Sequence, residues 1–223
     1  SSDLTVDVWD SDVARYGIDI WMTTTAIAEG FRVAQAGLGL KIHDAKDPAA
    51  SLGPMFSQVV GTLFALMGRY AHKWRTIQSV QPVPLIGEPP EGEPEPVPVN
   101  LPALIGKLRA GLREHASTLH QVLAPERWAA LENIAARDED AFAFPAETWA
   151  RIVFDFALAY NTGEGSKEAI MAAMVPLYYG RTAGLVRQAS DLDATEFEQR
   201  VVQAQAETFL QLKPELAERW PVR

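Results

Sequence analysis

Residues 82–102 constrain the fold of this chain more than any other stretch, because they hold eight of its fifteen prolines. The same stretch contains Glu88, Glu91, Glu93 and Glu95, and it has no lysine or arginine. Proline fixes φ and lacks an amide hydrogen, so such a composition favours an extended, solvated connector over a packed element. The sequence therefore predicts a first part at residues 1–78, a linker at 79–100 and a C-terminal domain at 101–223.

The C-terminal part carries apolar residues at helical spacing throughout. We predict helices at residues 101–123, 125–136, 145–160, 166–189 and 194–212. Proline lies at or near the first turn of three of them, where its missing amide hydrogen costs nothing. Pro176 lies inside the fourth helix and should kink it or split it in two. These patterns predict a helical C-terminal domain.

The first part of the chain mixes strand and helix signals. Alternating apolar residues predict a short strand at 4–9, and a second strand is predicted at 31–42. Between them we predict a helix from Asp19 to about Glu29, which Gly30 ends. A loop at 44–54 should lead into a helix at 55–75. The predicted fold class is therefore mainly α with a small β portion.

Composition excludes several classes of protein. The formal net charge of −9 and the pI near 5.0 argue against a nucleic-acid partner, which needs concentrated basic surface. The chain has no cysteine, so disulfides, thiolate metal sites and cysteine nucleophiles are excluded. No apolar run approaches the roughly 20 residues that cross a bilayer, and residues 1–5 do not resemble a signal peptide. We expect a soluble, cytoplasmic protein without stable membrane insertion.

Three groups of polar residues have both a structural and a chemical interpretation. Asp19 opens the predicted helix, so it is either a capping carboxylate, which the pattern favours, or a catalytic one. His43 follows the predicted strand beside Lys41; it is either a surface histidine or a metal ligand next to a phosphate-binding lysine. The pair Asp10-Ser-Asp12 is more typical of a turn than of a metal site.

Three motifs, taken in order, resemble the latter part of a known enzyme family. They are Tyr16-Gly-Ile-Asp-Ile, then Gly37-Leu-Gly-Leu-Lys-Ile-His43, then Leu52-Gly-Pro-Met-Phe-Ser-Gln-Val-Val-Gly-Thr-Leu63. Together they resemble retaining glycosyltransferases of the GT-A type related to glucosyl-3-phosphoglycerate synthase and, more loosely, to mannosylglycerate synthase. The stretch Pro176-Leu-Tyr-Tyr-Gly-Arg-Thr-Ala-Gly184 also resembles a C-terminal helical motif of these enzymes, although packing of its aromatic residues is the simpler interpretation.

The resemblance implies a set of site residues. Asp19 matches the acidic, catalytic position, while Tyr16, Gly17 and Lys41 match substrate-binding positions. His43 matches the ligand of a divalent cation, magnesium or manganese, whose site is completed by an upstream Asp-x-Asp. The implied partners are a nucleotide-sugar donor and a small acceptor.

The sequence also departs from the family. Ala45 stands where the phosphoglycerate-using enzymes carry an acceptor-binding asparagine, and the nucleotide-binding half with its Asp-x-Asp has no counterpart in these 223 residues. Asp10-Ser-Asp12 is too close to Tyr16 to replace it. We therefore expect the C-terminal portion of a GT-A α/β enzyme followed by a helical domain. Such a fragment should bind metal poorly or not at all and should have weak or absent transferase activity.

An alternative function belongs to a different class of protein. The Met, Trp and Tyr residues at helical spacing fit either a core or an interface, so the chain could be a non-catalytic helical interaction module that forms a homodimer. The predicted helix with Met55, Val59 and Leu63 would form the dimer interface together with the C-terminal helices. Attachment to a membrane surface through residues 69–75 is disfavoured, because this basic cluster is short and the chain is acidic.

Overall fold

The computed structural model describes residues 8, 10–38, 48–87, 99–163 and 165–221. Helix makes up 73% of the described structure and strand 2%, which confirms the prediction of a mainly α fold. The described residues form two compact units: residues up to 87, apart from 48–50, belong to the first, and residues 48–50 with those from 99 onward belong to the second. Within the described ranges, no helix is both long and apolar enough to cross a membrane.

The first unit begins with a 3-10 turn at Asp12–Ala14 and helix α1 at Ile18–Ala28. Gly30 follows α1 with φ of 79°, a conformation that favours glycine, so the predicted end of this helix is confirmed. Helix α2, Pro48–Arg69, and the short helix α3, Ala71–Trp74, come next in the described chain. They are separated at Tyr70, whose backbone leaves the helical region.

Helix α2 begins earlier than the sequence predicts. The predicted loop at 44–54 is wrong from Pro48 onward, because proline is well suited to the first position of a helix and begins this one. Pro54 lies inside α2 without ending it. Residues 44–47 of the predicted loop lie outside the described residues.

Only two short strands occur in the described structure, and they pair with each other. Strand β1, Gln35–Ala36, runs parallel to strand β2, Leu85–Ile86, with Gln35 opposite Leu85. Of the strand predicted at 31–42, only Gln35–Ala36 is a strand; the prediction is wrong at 31–34 and 37–38, and residues 39–42 lie outside the described residues. β2 lies where the sequence predicts an unpaired connector. Residues 88–98 of that connector lie outside the described residues, as does most of the strand predicted at 4–9.

The second unit is built from helices whose bounds agree closely with the predicted ones. They are α4 Leu101–Glu114, α5 Ala116–Val122, α6 Pro125–Ala136, α7 Ala146–Thr162, α8 Lys167–Ala189, α9 Ala194–Phe197 and α10 Ala204–Arg219, with a 3-10 turn at Glu139–Ala141 and a π-helical segment at Glu198–Gln203. The predicted helix at 101–123 is divided at His115 into α4 and α5. The predicted helix at 194–212 is formed by α9, the π-helical segment and α10, and it extends beyond its predicted end to Arg219.

Helices α4 and α8 pack closely along a stripe of small residues. A Cβ atom built on Gly111 of α4 would lie 2.1 Å from Cβ of Pro176, so the two helices meet there with no room for a side chain. One turn away, Leu108 packs against Gly180. Helix α8 continues through Pro176, so of the two predicted outcomes the split is wrong, while a kink stays a prediction. Packing of the proline ring against α4 offsets the backbone hydrogen bond that proline cannot make.

The interior of the second unit also contains a buried ion-pair cluster. The side chain of Asp155, on α7, is fully buried between two arginines. Its Oδ1 lies 2.7 Å from a terminal nitrogen of Arg219, and its Oδ2 lies 3.1 Å from Nε of Arg127. The backbone N–H of Ala124 donates a hydrogen bond of 3.3 Å to the same Oδ2. Asp155 thus joins α6, α7 and α10.

Candidate functional site

The Tyr16-Gly17 motif forms the turn that leads into α1. The amide of Tyr16 donates a hydrogen bond of 3.3 Å to Oε1 of Gln58 on α2, and its side chain is 52% exposed. Gly17 is buried, and its amide donates a 2.9 Å hydrogen bond to the carbonyl of Asp12. The motif therefore presents the tyrosine to solvent and uses the glycine to hold the turn.

Gly17 lies where a side chain would collide with its surroundings. A Cβ atom at this position would lie 2.3 Å from Oγ1 of Thr62 and 2.8 Å from the carbonyl oxygen of Asp12. Its φ of −74° is ordinary, so the requirement for glycine comes from space and not from backbone conformation. This contact gives Gly17 a packing role; its role in substrate binding stays a prediction.

Because of this contact, we expect Gly17→Ala to destabilise the first unit by about 1 to 2 kcal/mol through overpacking. Hydrogen exchange of the α1 amides measures the loss separately from the second unit. The double variant Gly17→Ala, Thr62→Ala should recover part of the protection, because it removes the nearest colliding atom. Unchanged exchange in Gly17→Ala would show that the turn has room for a methyl group.

Asp19 lies in the first turn of α1 and is exposed. Gly17 is the N-cap residue, and no side-chain capping hydrogen bond is made there, so the capping interpretation of Asp19 is wrong in its strict form. Among the described residues, the carboxylate of Asp19 has no hydrogen-bond or ion-pair partner. It still benefits from the positive end of the helix dipole. Asp19 is thus a solvent-facing carboxylate three residues after the exposed Tyr16.

The opposite end of α1 is held by a polar cluster. The hydroxyl of Tyr70 donates a 2.8 Å hydrogen bond to Oε1 of Glu29, and Nζ of Lys73 donates to the carbonyl of Ala28 at the end of the helix. Burial, together with the bond to Glu29, raises the pKa of Tyr70 above its ordinary value. The phenol therefore stays protonated and keeps donating at neutral pH. This cluster ties the C-terminal end of α1 to the segment after α2.

Two of the predicted site residues, Lys41 and His43, lie outside the described residues. Within the part of the chain that is described, no group of three or more His, Asp or Glu side chains is arranged to hold a metal ion. Asp10 and Asp12 belong to the region of the 3-10 turn, where Ser11 is the N-cap residue. The structure thus brings Tyr16 and Asp19 to one end of α1, while the metal assignment of His43 stays a prediction.

Apolar surface is concentrated in the first unit. Among the described residues, ten large apolar side chains are strongly exposed, and nine of them lie in this unit. They are Tyr16, Met22, Ile27, Phe31, Leu38, Ile77, Val80, Leu85 and Ile86. All four residues of the β1–β2 pair are exposed as well, although parallel sheets are normally covered on both faces.

Arg181 is a residue that sequence reasoning did not select. It lies in the 176–184 stretch, in the middle of α8, and is only 2% exposed. Leu177 and Tyr179 of the same stretch are buried, as expected if its aromatic and apolar residues pack a core. The signal in the sequence is a charged residue on an apolar stripe, four positions after Leu177 and seven after Met174.

Comparison of the sequence with protein-family models and with curated proteins, and of the structure with solved structures, finds no match.

Proposed function

We propose that this chain is the C-terminal portion of a metal-dependent retaining glycosyltransferase of the GT-A type. The reaction would transfer a sugar from a nucleotide-sugar donor to a small acceptor. The observation that carries the proposal is the order of the three motifs at 16–20, 37–43 and 52–63. Each motif alone is short, but their succession reproduces the arrangement in the enzymes that the sequence resembles.

The exposed apolar surface of the first unit supports the same proposal. A two-stranded parallel pair with all its residues exposed is not a stable sheet by itself. Phe31 and Leu38, which flank β1, are 60% and 92% exposed. Surface of this kind is expected where further strands and helices of an α/β domain would pack. A nucleotide-binding half of a GT-A enzyme is such a partner.

Asp19 has the properties that the proposed chemistry needs. Its carboxylate is exposed and makes no capping hydrogen bond, and Asp19 follows the exposed Tyr16 by three residues. An acidic group in this position would accept hydrogen bonds from sugar or acceptor hydroxyls. It would also stabilise the positive charge that develops at the anomeric carbon as the glycosidic bond breaks.

The proposal includes a divalent cation, magnesium or manganese, with His43 as one ligand. When bound, such a cation neutralises negative charge on the leaving diphosphate. Both ions prefer several oxygen ligands, so one histidine cannot form the site alone. The resembling enzymes supply the others from an upstream Asp-x-Asp.

We expect Asp19→Asn to lower kcat on the order of 100-fold, because it removes the negative charge and keeps the shape of the side chain. The measurement is release of nucleotide from a panel of nucleotide sugars, with glycerate as acceptor and Mg²⁺ or Mn²⁺ present. It is made on the 223-residue chain and on the chain extended by any residues that its gene encodes before Ser1. The 223-residue chain is expected to turn over weakly or not at all.

The matched control is Asp191→Asn, which makes the same charge change at an exposed position of the second unit. It should leave kcat unchanged. Appreciable turnover by the 223-residue chain would contradict the proposal that its site is incomplete. Absence of turnover by an extended chain that contains an Asp-x-Asp would contradict the transferase function itself.

The exposed apolar surface also favours a second candidate, a non-catalytic module that dimerises through the first unit. Met55, Val59 and Leu63 on α2 are half-buried within the protein, so less of their surface is free for a partner than the sequence pattern suggests. Phe31 and Leu38 are better candidates for such a contact. Light scattering across a concentration series distinguishes the two functions: a dimer lost in Leu38→Lys favours the module, and a monomer at every concentration excludes it.

A further inference from the structure

Arg181 is a buried cation whose hydrogen bonds to the described residues all go to neutral oxygens. Its NH1 group donates to the carbonyl of Phe144 at 2.7 Å and to the side-chain oxygen of Gln188 at 3.4 Å. Its Nε donates to Oε1 of Gln205 at 3.0 Å, and its NH2 group donates to the same oxygen. No carboxylate within the described residues forms an ion pair with Arg181. Burial accordingly lowers the pKa of Arg181 to about 10.

This arrangement differs from that of the other buried charge in the unit. Asp155 is neutralised by two arginines, whereas Arg181 has only dipoles around it. Burying a charge without a counter-ion lowers the stability of a protein. Buried charges are therefore normally paired with an opposite charge or bind a charged ligand. Arg181 therefore lacks a counter-ion that an anion in the space next to it would supply.

Arg181 lines a cavity of about 350 Å³ at the surface of the second unit. Arg200, Gln188, Gln205, Thr208 and Leu192 are among the other lining residues, and no lining residue is acidic. Two guanidinium groups, two amides and a hydroxyl thus surround one space. The volume suits a small molecule or ion.

The backbone around Arg200 is unusual. Residues Glu198–Gln203 form a π-helical segment between α9 and α10, and both Arg200 and Val201 of this segment line the cavity. Single π-helical turns inside α-helical regions occur frequently at functional sites. The side chain of Arg200 is 68% exposed, and its NH1 group lies 3.8 Å from the carboxylate of Glu196. An exposed ion pair at this distance is weak, so it does not fix the position of the Arg200 guanidinium. This guanidinium is free to turn towards a ligand.

We propose that this cavity binds a small oxyanion, the carboxylate or phosphate group of a small molecule, between Arg181 and Arg200. Arg181 forms the floor and supplies a fixed positive charge, while Arg200 closes over the ligand from the exposed side. The amide of Gln205 and the hydroxyl of Thr208 are hydrogen-bonding groups beside the bound anion. This site goes beyond the proposed transferase function, because every residue that forms it lies in the second unit.

Gln205 supplies a sharp test of the proposal. The side-chain oxygen Oε1 of Gln205 accepts hydrogen bonds from both Nε and NH2 of Arg181. A carboxylate binds this same edge of a guanidinium group with two oxygens. In Gln205→Glu a carboxylate of nearly the same shape would take this edge. We expect this variant to have a higher Tm than the wild type and to lose its response to added oxyanions.

The experiment measures Tm and calorimetric affinity of the full chain with sodium phosphate and, separately, with sodium malonate, each against sodium chloride at equal ionic strength. We expect a saturable rise in Tm with at least one oxyanion. The tighter one identifies the source as phosphate or carboxylate. Arg200→Gln should weaken that affinity on the order of tenfold, because one charge-assisted contact is lost. Since Arg200 is exposed, this variant is expected to fold.

The matched control is Arg113→Gln, which removes one positive charge from an exposed position on α4 that does not line the cavity. It should leave the affinity unchanged. The proposal is overturned if neither oxyanion raises Tm beyond the chloride control, or if Arg113→Gln weakens binding as much as Arg200→Gln. In the second case the anions act through general charge and not at this site.

Discussion

Asp155→Ala is expected to lower the free energy of unfolding of the second unit by about 3 to 5 kcal/mol, because it removes the buried carboxylate that lies between Arg127 and Arg219. Arg127 keeps its contact with the exposed Glu126, at 2.6 Å. The Asp155 side chain is completely buried, with Arg219 at 2.7 Å and Arg127 at 3.1 Å. Arg127 is itself only 14% exposed, so water cannot replace the lost carboxylate there. The amide of Ala124 also loses its acceptor, at the point where α6 begins.

Urea denaturation followed by circular dichroism measures this loss, since unfolding of these helices dominates the signal. Glu132→Ala is the matched control: it removes a carboxylate from an exposed position on α6 and should change stability by less than about 0.5 kcal/mol. Asp155→Asn should fall between the two, because it keeps the hydrogen-bond acceptor for Ala124. A loss below about 1 kcal/mol for Asp155→Ala would mean that the two arginines reach solvent without penalty.

Gly111→Ala is expected to destabilise the second unit by about 3 kcal/mol, the upper end of the usual cost of overpacking. The added methyl group would lie 2.1 Å from Cβ and 2.3 Å from Cγ of Pro176. A proline ring cannot rotate away as a flexible side chain would, so α4 and α8 must separate. Leu108 and Gly180 lie on the same contact and would lose part of their packing.

The same helix contains its own control. Gly106 is also in α4, but a Cβ atom there would have no neighbour within 4 Å. Gly106→Ala should therefore stabilise the unit by up to about 1 kcal/mol, since alanine has the higher helix propensity. Thermal unfolding of the two variants should shift Tm in opposite directions. Shifts of the same sign would show that helix propensity, and not contact with Pro176, determines the effect at Gly111.

Most helices of this protein were predictable, because their determinants are local. Periodic apolar residues marked the helices of the second unit, and Gly30 ended α1 as predicted. Proline was a less reliable guide. Pro48 begins α2 and Pro176 lies inside α8, since the effect of proline depends on its position in the helix and on what packs against its ring. The pairing of β1 with β2 was not predictable, because it joins residues about fifty positions apart.

The candidate sites also divide into features that the sequence predicts and features that only the structure shows. Asp19 and Tyr16 could be selected from the sequence, because they belong to a short motif at a helix start on which the transferase proposal partly rests. Their exposure, and the absence of a capping bond at Asp19, required the structure. Arg181 could be noticed only as a charge on an apolar stripe. That its partners are amides and a carbonyl, beside a cavity that also receives Arg200, depends on where α7, α8 and α10 meet.

The sequence by itself determined the helical class and most of the helix boundaries, because hydrophobic periodicity, caps and glycine conformations act over a few residues. It also carried the ordered motifs on which the glycosyltransferase proposal rests. Only the tertiary structure decided that Gly17 and Gly111 are packing positions. It also decided that the buried Asp155 is paired with arginines, whereas the buried Arg181 has no carboxylate partner among the described residues. Those properties depend on distances between residues that are far apart in the chain. Burial in a medium of low polarity then determines how much each charge lowers or raises the stability of the fold.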